Sequence, residues 1–176
     1  SARKKSSNNV VFYNDEMKSV ASSKVSLNSD LYKAVENKEF FLHFQPRVDA
    51  KSGRMIAAEV LLRWAHPVRG NVPPDIFIPL LEESGLIVPV GEWIVTETCR
   101  VASALHERGY PLLFAVNVSP YQFQAGEFQA HVASAIALSD QPAGQFLELE
   151  ITESVFEVDY AQALESMNDL KKMGIK

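Results

Sequence analysis

The sequence has one cysteine, Cys99, among its 176 residues. A single thiol excludes an internal disulfide framework and a cysteine-rich zinc site, and it fits a reducing compartment. Basic charge is scarce too: 17 Lys and Arg stand against 22 Asp and Glu, a net charge of -5. A surface that neutralises a run of phosphates carries an excess of Lys and Arg, so duplex DNA or RNA is not an expected partner. Long apolar runs are also missing. The most apolar stretch, residues 76–90, is broken by Glu82, Glu83 and Gly85, far short of the roughly 18 uninterrupted residues a membrane span needs. The basic start (Arg3, Lys4, Lys5) leads into polar residues 6–9 where a signal peptide has its apolar centre. The expectation is a cytoplasmic segment without membrane contact, in a parent chain free to be membrane-attached elsewhere.

The eight glycines form no phosphate loop, and Gly91, Gly109 and Gly126 are too widely spaced for a dinucleotide fingerprint. No nucleophile elbow is present. His43, His106 and His131 are scattered, no histidine pair has zinc-site spacing, and His66 before Pro67 reads as structural.

What remains is an ordinary globular composition, 47% hydrophobic and 22% charged. The length suits one domain and is too short for two. Residues 1 to about 26, serine-rich with an apolar patch at Val10–Tyr13, read as a weakly ordered linker or the tail of a preceding unit. A helix follows over 28–38, then strands over 40–48 and 55–64 with a turn at Ser52-Gly53. Helices are expected over 74–84 and 91–108, the latter capped by Gly109. A strand over 112–118 leads through Ser119-Pro120 into a helical region to about 138. A strand over 146–152 and a helix over 159–173 complete the order. Strand and helix in alternation predict an α/β fold with a largely parallel sheet, and either a doubly wound sheet or a barrel is compatible with it.

Polar residues on these strands carry the information, because buried parallel strands are normally apolar throughout. Alternation puts Glu59, Leu61 and Arg63 on one face of their strand and Val60, Leu62 and Trp64 on the other. By the same rule Asn117 shares a face with Leu113 and Ala115, and Glu148, Glu150 and Thr152 share another. Each polar group lies toward the strand's C-terminal end, where open α/β sheets and barrels both bind ligands. Two carboxylates and an amide oxygen make a set suited to Mg²⁺ or Mn²⁺, with Arg63 free to hold a phosphate. The chemistry suggested is metal-assisted hydrolysis of a phosphate ester, in which the cation lowers the pKa of a bound water. Two plainer alternatives stand beside it: strand glutamates paired with lysines at a rim, and Asn117 as a turn or helix-capping residue.

Several motifs then occur together and in order: Phe44-Gln45-Pro46, Gly53-Arg54, Ala58-Glu59-Val60-Leu61-Leu62-Arg63-Trp64, His66-Pro67, Asn117-Val118-Ser119-Pro120, and Glu148-Leu149-Glu150-Ile151-Thr152-Glu153-Ser154. Over residues 27–176 the chain resembles the EAL domain, a family of bacterial phosphodiesterases that open cyclic di-GMP to linear pGpG. The resemblance implies a TIM-like (β/α)8 barrel whose first strand runs against the others. It implies Glu59 and Glu150 as catalytic residues, Glu59, Asn117 and Glu150 as metal ligands, and Arg63, Leu61 and Gln45 as substrate-binding residues. The cofactor would be Mg²⁺ or Mn²⁺, two ions in a complete domain. Val60 stands where the family's motif has alanine. The family's later motifs, including its paired aspartates and catalytic lysine, are absent. A full barrel takes roughly 250 residues, so the expectation is an N-terminal half of the domain, inactive alone. Residues 9–17 are similar to the end of a GGDEF domain. The alternative function is a non-catalytic module that binds cyclic di-GMP or a protein, and a half-barrel's open edges also suggest a homodimer.

Overall fold

A long hairpin begins the sheet. Strand β1 (Phe40–Val48) runs antiparallel to β2 (Met55–His66), with Phe40 opposite Trp64 and Gln45 opposite Glu59. The turn between them is built locally: Asp49 accepts from the backbone N–H and hydroxyl of Ser52 at 2.7 Å each, and Gly53 takes a positive φ of 67°. Those two bonds hold the Asp49 carboxyl below its ordinary pKa. In this computed structural model the described residues are 15–124, 126–138, 143–156 and 160–176. The expectations for Val10–Tyr13 and the GGDEF-like stretch up to residue 14 lie outside them.

From β2 the sheet continues in parallel. Strand β4 (Leu113–Val118) pairs with β2, and β5 (Leu147–Ile151) pairs with β4, giving the order β1-β2-β4-β5. A short strand β3 (Gly70–Val72), not anticipated, pairs antiparallel with the end of β2. Beyond β5 the backbone of Lys176 extends the pattern: its N–H donates to Leu147 O at 3.1 Å and its carbonyl accepts from Leu149 N at 2.9 Å. This is the slanted spacing of a parallel ladder.

The core lies against one face of the sheet. Ala58, Val60, Leu62 and Trp64 of β2 and Phe114, Val116 and Val118 of β4 are buried there, with Leu147 of β5. Helices α2 (Pro74–Glu83), α3 (Ile87–Glu107), α5 (Phe128–Ala137) and α6 (Tyr160–Lys172) contribute buried residues to the same cluster, among them Phe77, Val95, Val132 and Leu170. Phe40, Trp64 and Phe77 meet with ring centroids 5.7–5.8 Å apart. Alternation therefore holds as expected, and the opposite face carries Glu59, Asn117, Glu148 and Glu150 among small and apolar residues such as Ala57 and Ala115.

Four boundaries depart from expectation, each for a physical reason. Helix α1 spans Asp15–Glu36, so residues 15–25 are helical rather than a loose linker. The stretch has no proline or glycine, and serines cost a helix only about 0.5 kcal/mol each. Helix α3 starts a turn early because Pro89 occupies its first turn, where no N–H is missed. The helical region after Pro120 is broken into α4 (Pro120–Gln124) and α5, with Gly126 at φ 75° between them. Single-turn 3₁₀ segments at Ala143–Phe146 and Glu153–Phe156 flank β5 and shorten it.

The other ends follow the sequence signals. Gly109, at φ 84°, closes α3, with Tyr110 N–H bonded to Leu105 O at 2.9 Å. At the end of α1 the same motif is made by Lys38, the one positive-φ residue other than glycine among the described residues, and Glu39 N–H reaches Ala34 O at 3.0 Å.

Candidate active site

Glu59, Asn117 and Glu150 emerge on the sheet face opposite the helices, from three neighbouring parallel strands. Glu59 pairs with Ala115, and Asn117, two residues further along β4, pairs directly with Glu150. Adjacent strands are about 4.8 Å apart, so the three side chains reach one region. Asn117 Nδ2 donates to Glu59 Oε1 at 2.9 Å, across the strands rather than into the following turn. The helix start at Pro120 is served by Ser119, whose hydroxyl accepts from Tyr121 N–H at 3.3 Å and donates to Glu82 Oε1 at 2.7 Å. The Ser119 N–H in turn donates to Gln122 Oε1 at 3.0 Å. The turn after β4 is thus fastened to α2, which fixes where Asn117 ends up.

A residue that sequence reasoning passed over sits among these carboxylates. Arg47, two residues beyond Gln45 on the same face of β1, places Nη1 2.9 Å from Glu148 Oε1 and 3.3 Å from Glu150 Oε1. Its guanidinium is held more firmly protonated, first by the Glu148 hydrogen bond and charge, then by the charges of Glu150 and Glu59. The sequence held half of the signal, an arginine in phase with Gln45. The other half, a contact 101 residues away, belongs to the fold. The rim-lysine alternative for these glutamates is replaced by this arginine at Glu148 and Glu150, and by the amide of Asn117 at Glu59.

The remaining expected residues share the face at other heights. Gln45 is directly opposite Glu59, and Leu61 and Arg63 follow Glu59 along β2. Arg63 is half-buried and donates through Nη1 to Leu62 O at 2.8 Å, so it lies near the face without pairing to the carboxylate trio in the bonds described. His66 is structural, as expected. It is buried, its Nδ1 accepts from Val68 and Arg69 N–H at 3.1 and 3.2 Å, and Nε2 lies 3.2 Å from Asp30. Two donors at Nδ1 require its lone pair there, so Nε2 carries the proton toward Asp30.

The donor chemistry fits a hard divalent cation. Two carboxylates and a carboxamide offer oxygen ligands, and the Asn117 oxygen is left over when its nitrogen serves Glu59. A guanidinium already rests on Glu150, so the face accommodates positive charge. Among the described residues no three His, Cys, Asp or Glu side chains converge as a metal cluster, and the trio depends on an amide as its third member.

The EAL domain family model matches residues 28–176. The chain belongs to the EAL family. It is 36% identical over 175 residues to the bifunctional diguanylate cyclase/cyclic di-GMP phosphodiesterase MucR of Pseudomonas aeruginosa, a match covering 99% of this chain and 25% of that protein. Cyclic di-GMP phosphodiesterase NbdA of the same organism is 29% identical over 169 residues, with 96% of this chain and 22% of that protein covered. The solved MucR phosphodiesterase in complex with cyclic di-GMP superposes with a TM-score of 0.80 at 38% identity, over 85% of this chain and 61% of that one. The chain spans about a quarter of the length of the curated relatives it matches.

The mixed sheet matches EAL structures, with its first strand antiparallel and the next strands parallel. No helix among the described residues is long and apolar enough to cross a membrane.

Proposed function

We propose that this EAL chain supplies the Glu59, Asn117 and Glu150 face of a metal-dependent cyclic di-GMP phosphodiesterase. The observation that supports it is the convergence of those side chains from three adjacent strands, with Asn117 bonded to Glu59 and opposite Glu150. Glu59, Asn117 and Glu150 would hold Mg²⁺ or Mn²⁺, which supplies Lewis acidity toward a phosphate oxygen. Arg63 would bind the phosphodiester, and Gln45 and Leu61 would border the dinucleotide on the same face. The product is linear pGpG.

In this reading the activity belongs to a longer protein that completes the barrel and contributes further charged groups. In keeping with that, the chain covers 61% of the solved phosphodiesterase chain it resembles. The test is hydrolysis of cyclic di-GMP, followed by chromatography, for the 176-residue chain and for a longer chain that completes the domain. The longer chain should form pGpG only with Mg²⁺ or Mn²⁺ and lose at least about 100-fold on Glu59→Gln, the scale of losing an electrostatic group of the reaction. The 176-residue chain should show negligible turnover. Metal-independent binding without turnover by the longer chain would instead favour the non-catalytic module, a reading in which Arg47 is the face's permanent counter-charge.

A further inference from the structure

Arg47 has two carboxylate partners of unequal strength. Its Nη1 lies closer to Glu148 than to Glu150, 2.9 Å against 3.3 Å, and both contacts use the same nitrogen. Glu148 and Glu150 are two residues apart on β5 and so point the same way, with Glu59 on the same face two strands over. Three carboxylates thus share a face, and two of them are bonded to the one guanidinium of Arg47. Arg63, further along β2, is turned to the Leu62 carbonyl. Glu150 Oε1, the atom that Arg47 touches, belongs to a carboxylate that the proposed function assigns to a divalent cation.

We infer that Arg47 is a tethered counter-cation of this face, which holds the Glu150 carboxylate when no divalent ion is bound and weakens the face's affinity for such an ion. The inference rests on the proposed cation-binding role of Glu59, Asn117 and Glu150. Its geometry includes a position to withdraw to: Arg47 keeps its shorter bond to Glu148 when Glu150 turns to a metal. An ordinary surface ion pair would have none of these consequences, since a pair this exposed, with Arg47 at 47%, contributes little to stability.

Removing the guanidinium has two opposite effects on cation binding. Glu150 loses an anchor, which costs some pre-organisation. The face also loses a positive charge close to where a cation would sit. A unit charge about 6 Å from a divalent ion alters its affinity by roughly tenfold even at the dielectric of water, so the electrostatic effect wins.

The experiment is Mn²⁺ binding to the full 176-residue chain, followed by the electron-spin resonance of free Mn²⁺, with thermal unfolding in EDTA as a second readout. Arg47→Gln should bind Mn²⁺ about tenfold more tightly than the unsubstituted chain, and Arg47→Lys, which keeps the charge, should stay within about threefold of it. In EDTA the Arg47→Gln variant should melt slightly lower, because Glu148 and Glu150 then lose the guanidinium bonded to both. Lower melting with unchanged or weaker Mn²⁺ binding would make Arg47 a structural ion pair and overturn the inference. Glu59→Gln and Glu150→Gln separate this failure from that of the underlying reading. If they leave Mn²⁺ binding intact, or no chain binds Mn²⁺, the cation-binding face itself is wrong and the inference falls with it.

Discussion

Asn117 donates through Nδ2 to Glu59 Oε1 at 2.9 Å, joining two parallel strands across the polar face of the sheet. The two residues are 58 positions apart in the chain and one strand apart in space. The bond holds the Asn117 amide and the Glu59 carboxylate together on the face proposed to bind a divalent cation.

Replacing Asn117 with aspartate tests that proximity without a metal. Asn117→Asp trades a hydrogen bond for two facing carboxylates, a repulsion of about 1–4 kcal/mol at effective dielectrics between 80 and 20. The variant should be less stable than the parent by that order at pH 7. The deficit should shrink as pH falls through the carboxylate range, because protonating one partner restores a donor. Urea unfolding at pH 7 and pH 4 measures it, and an equal deficit at both would show that the side chains do not meet.

Gly91 on α3 has no room for a side chain. A Cβ built there would overlap Nε2 of Gln122, a buried residue whose Oε1 accepts the N–H of Ser119. Gly91→Ala should therefore cost about 1–3 kcal/mol despite alanine's better helix propensity, because Gln122 must give up that buried N–H. Adding Gln122→Ala removes the clash, so the double variant should be less destabilised than the sum of the singles. Strict additivity in chemical denaturation would refute the contact.

Lys38 occupies the left-handed position that ends α1, at φ 56°. That conformation costs a non-glycine residue about 1 kcal/mol, part of which glycine returns through its greater freedom when unfolded. Lys38→Gly should raise stability by about 0.5–1 kcal/mol, seen as a higher urea midpoint with unchanged slope. A loss of stability would mean that the side chain contributes more than its backbone strain costs.

Much of this was legible beforehand, and the misses share a cause. Strand β1 falls on the residues expected of it, and the alternation at Glu59, Asn117 and Glu150 predicted their common face, because period-two patterning is a local property. Arg47 was not legible, since its partners Glu148 and Glu150 lie 101 and 103 residues on and only strand order brings them near. Strand β3 went unseen because three residues carry no periodicity. The start of α1 was missed because serine-rich composition resembles a linker, although serine costs a helix little.

Cys99 gives a pH dependence with a definite sign. Burial pushes its thiol from 9.0 up to about 11, so the folded state favours the neutral form. That contribution is complete below about pH 9 and is lost as pH rises toward 11, amounting to about 2–3 kcal/mol at the alkaline end. Between pH 8 and pH 11 the chain should lose more stability than its Cys99→Ala variant by that amount. Parallel losses would show that the thiol titrates normally.

The most direct test of the cation-binding face is paramagnetic broadening of backbone amide signals by substoichiometric Mn²⁺. Broadening should centre on Glu59, Asn117 and Glu150 and vanish in Glu59→Gln. Broadening centred elsewhere, such as on the half-buried carboxylates Asp169 or Glu97, with residues 59, 117 and 150 left sharp, would contradict the account.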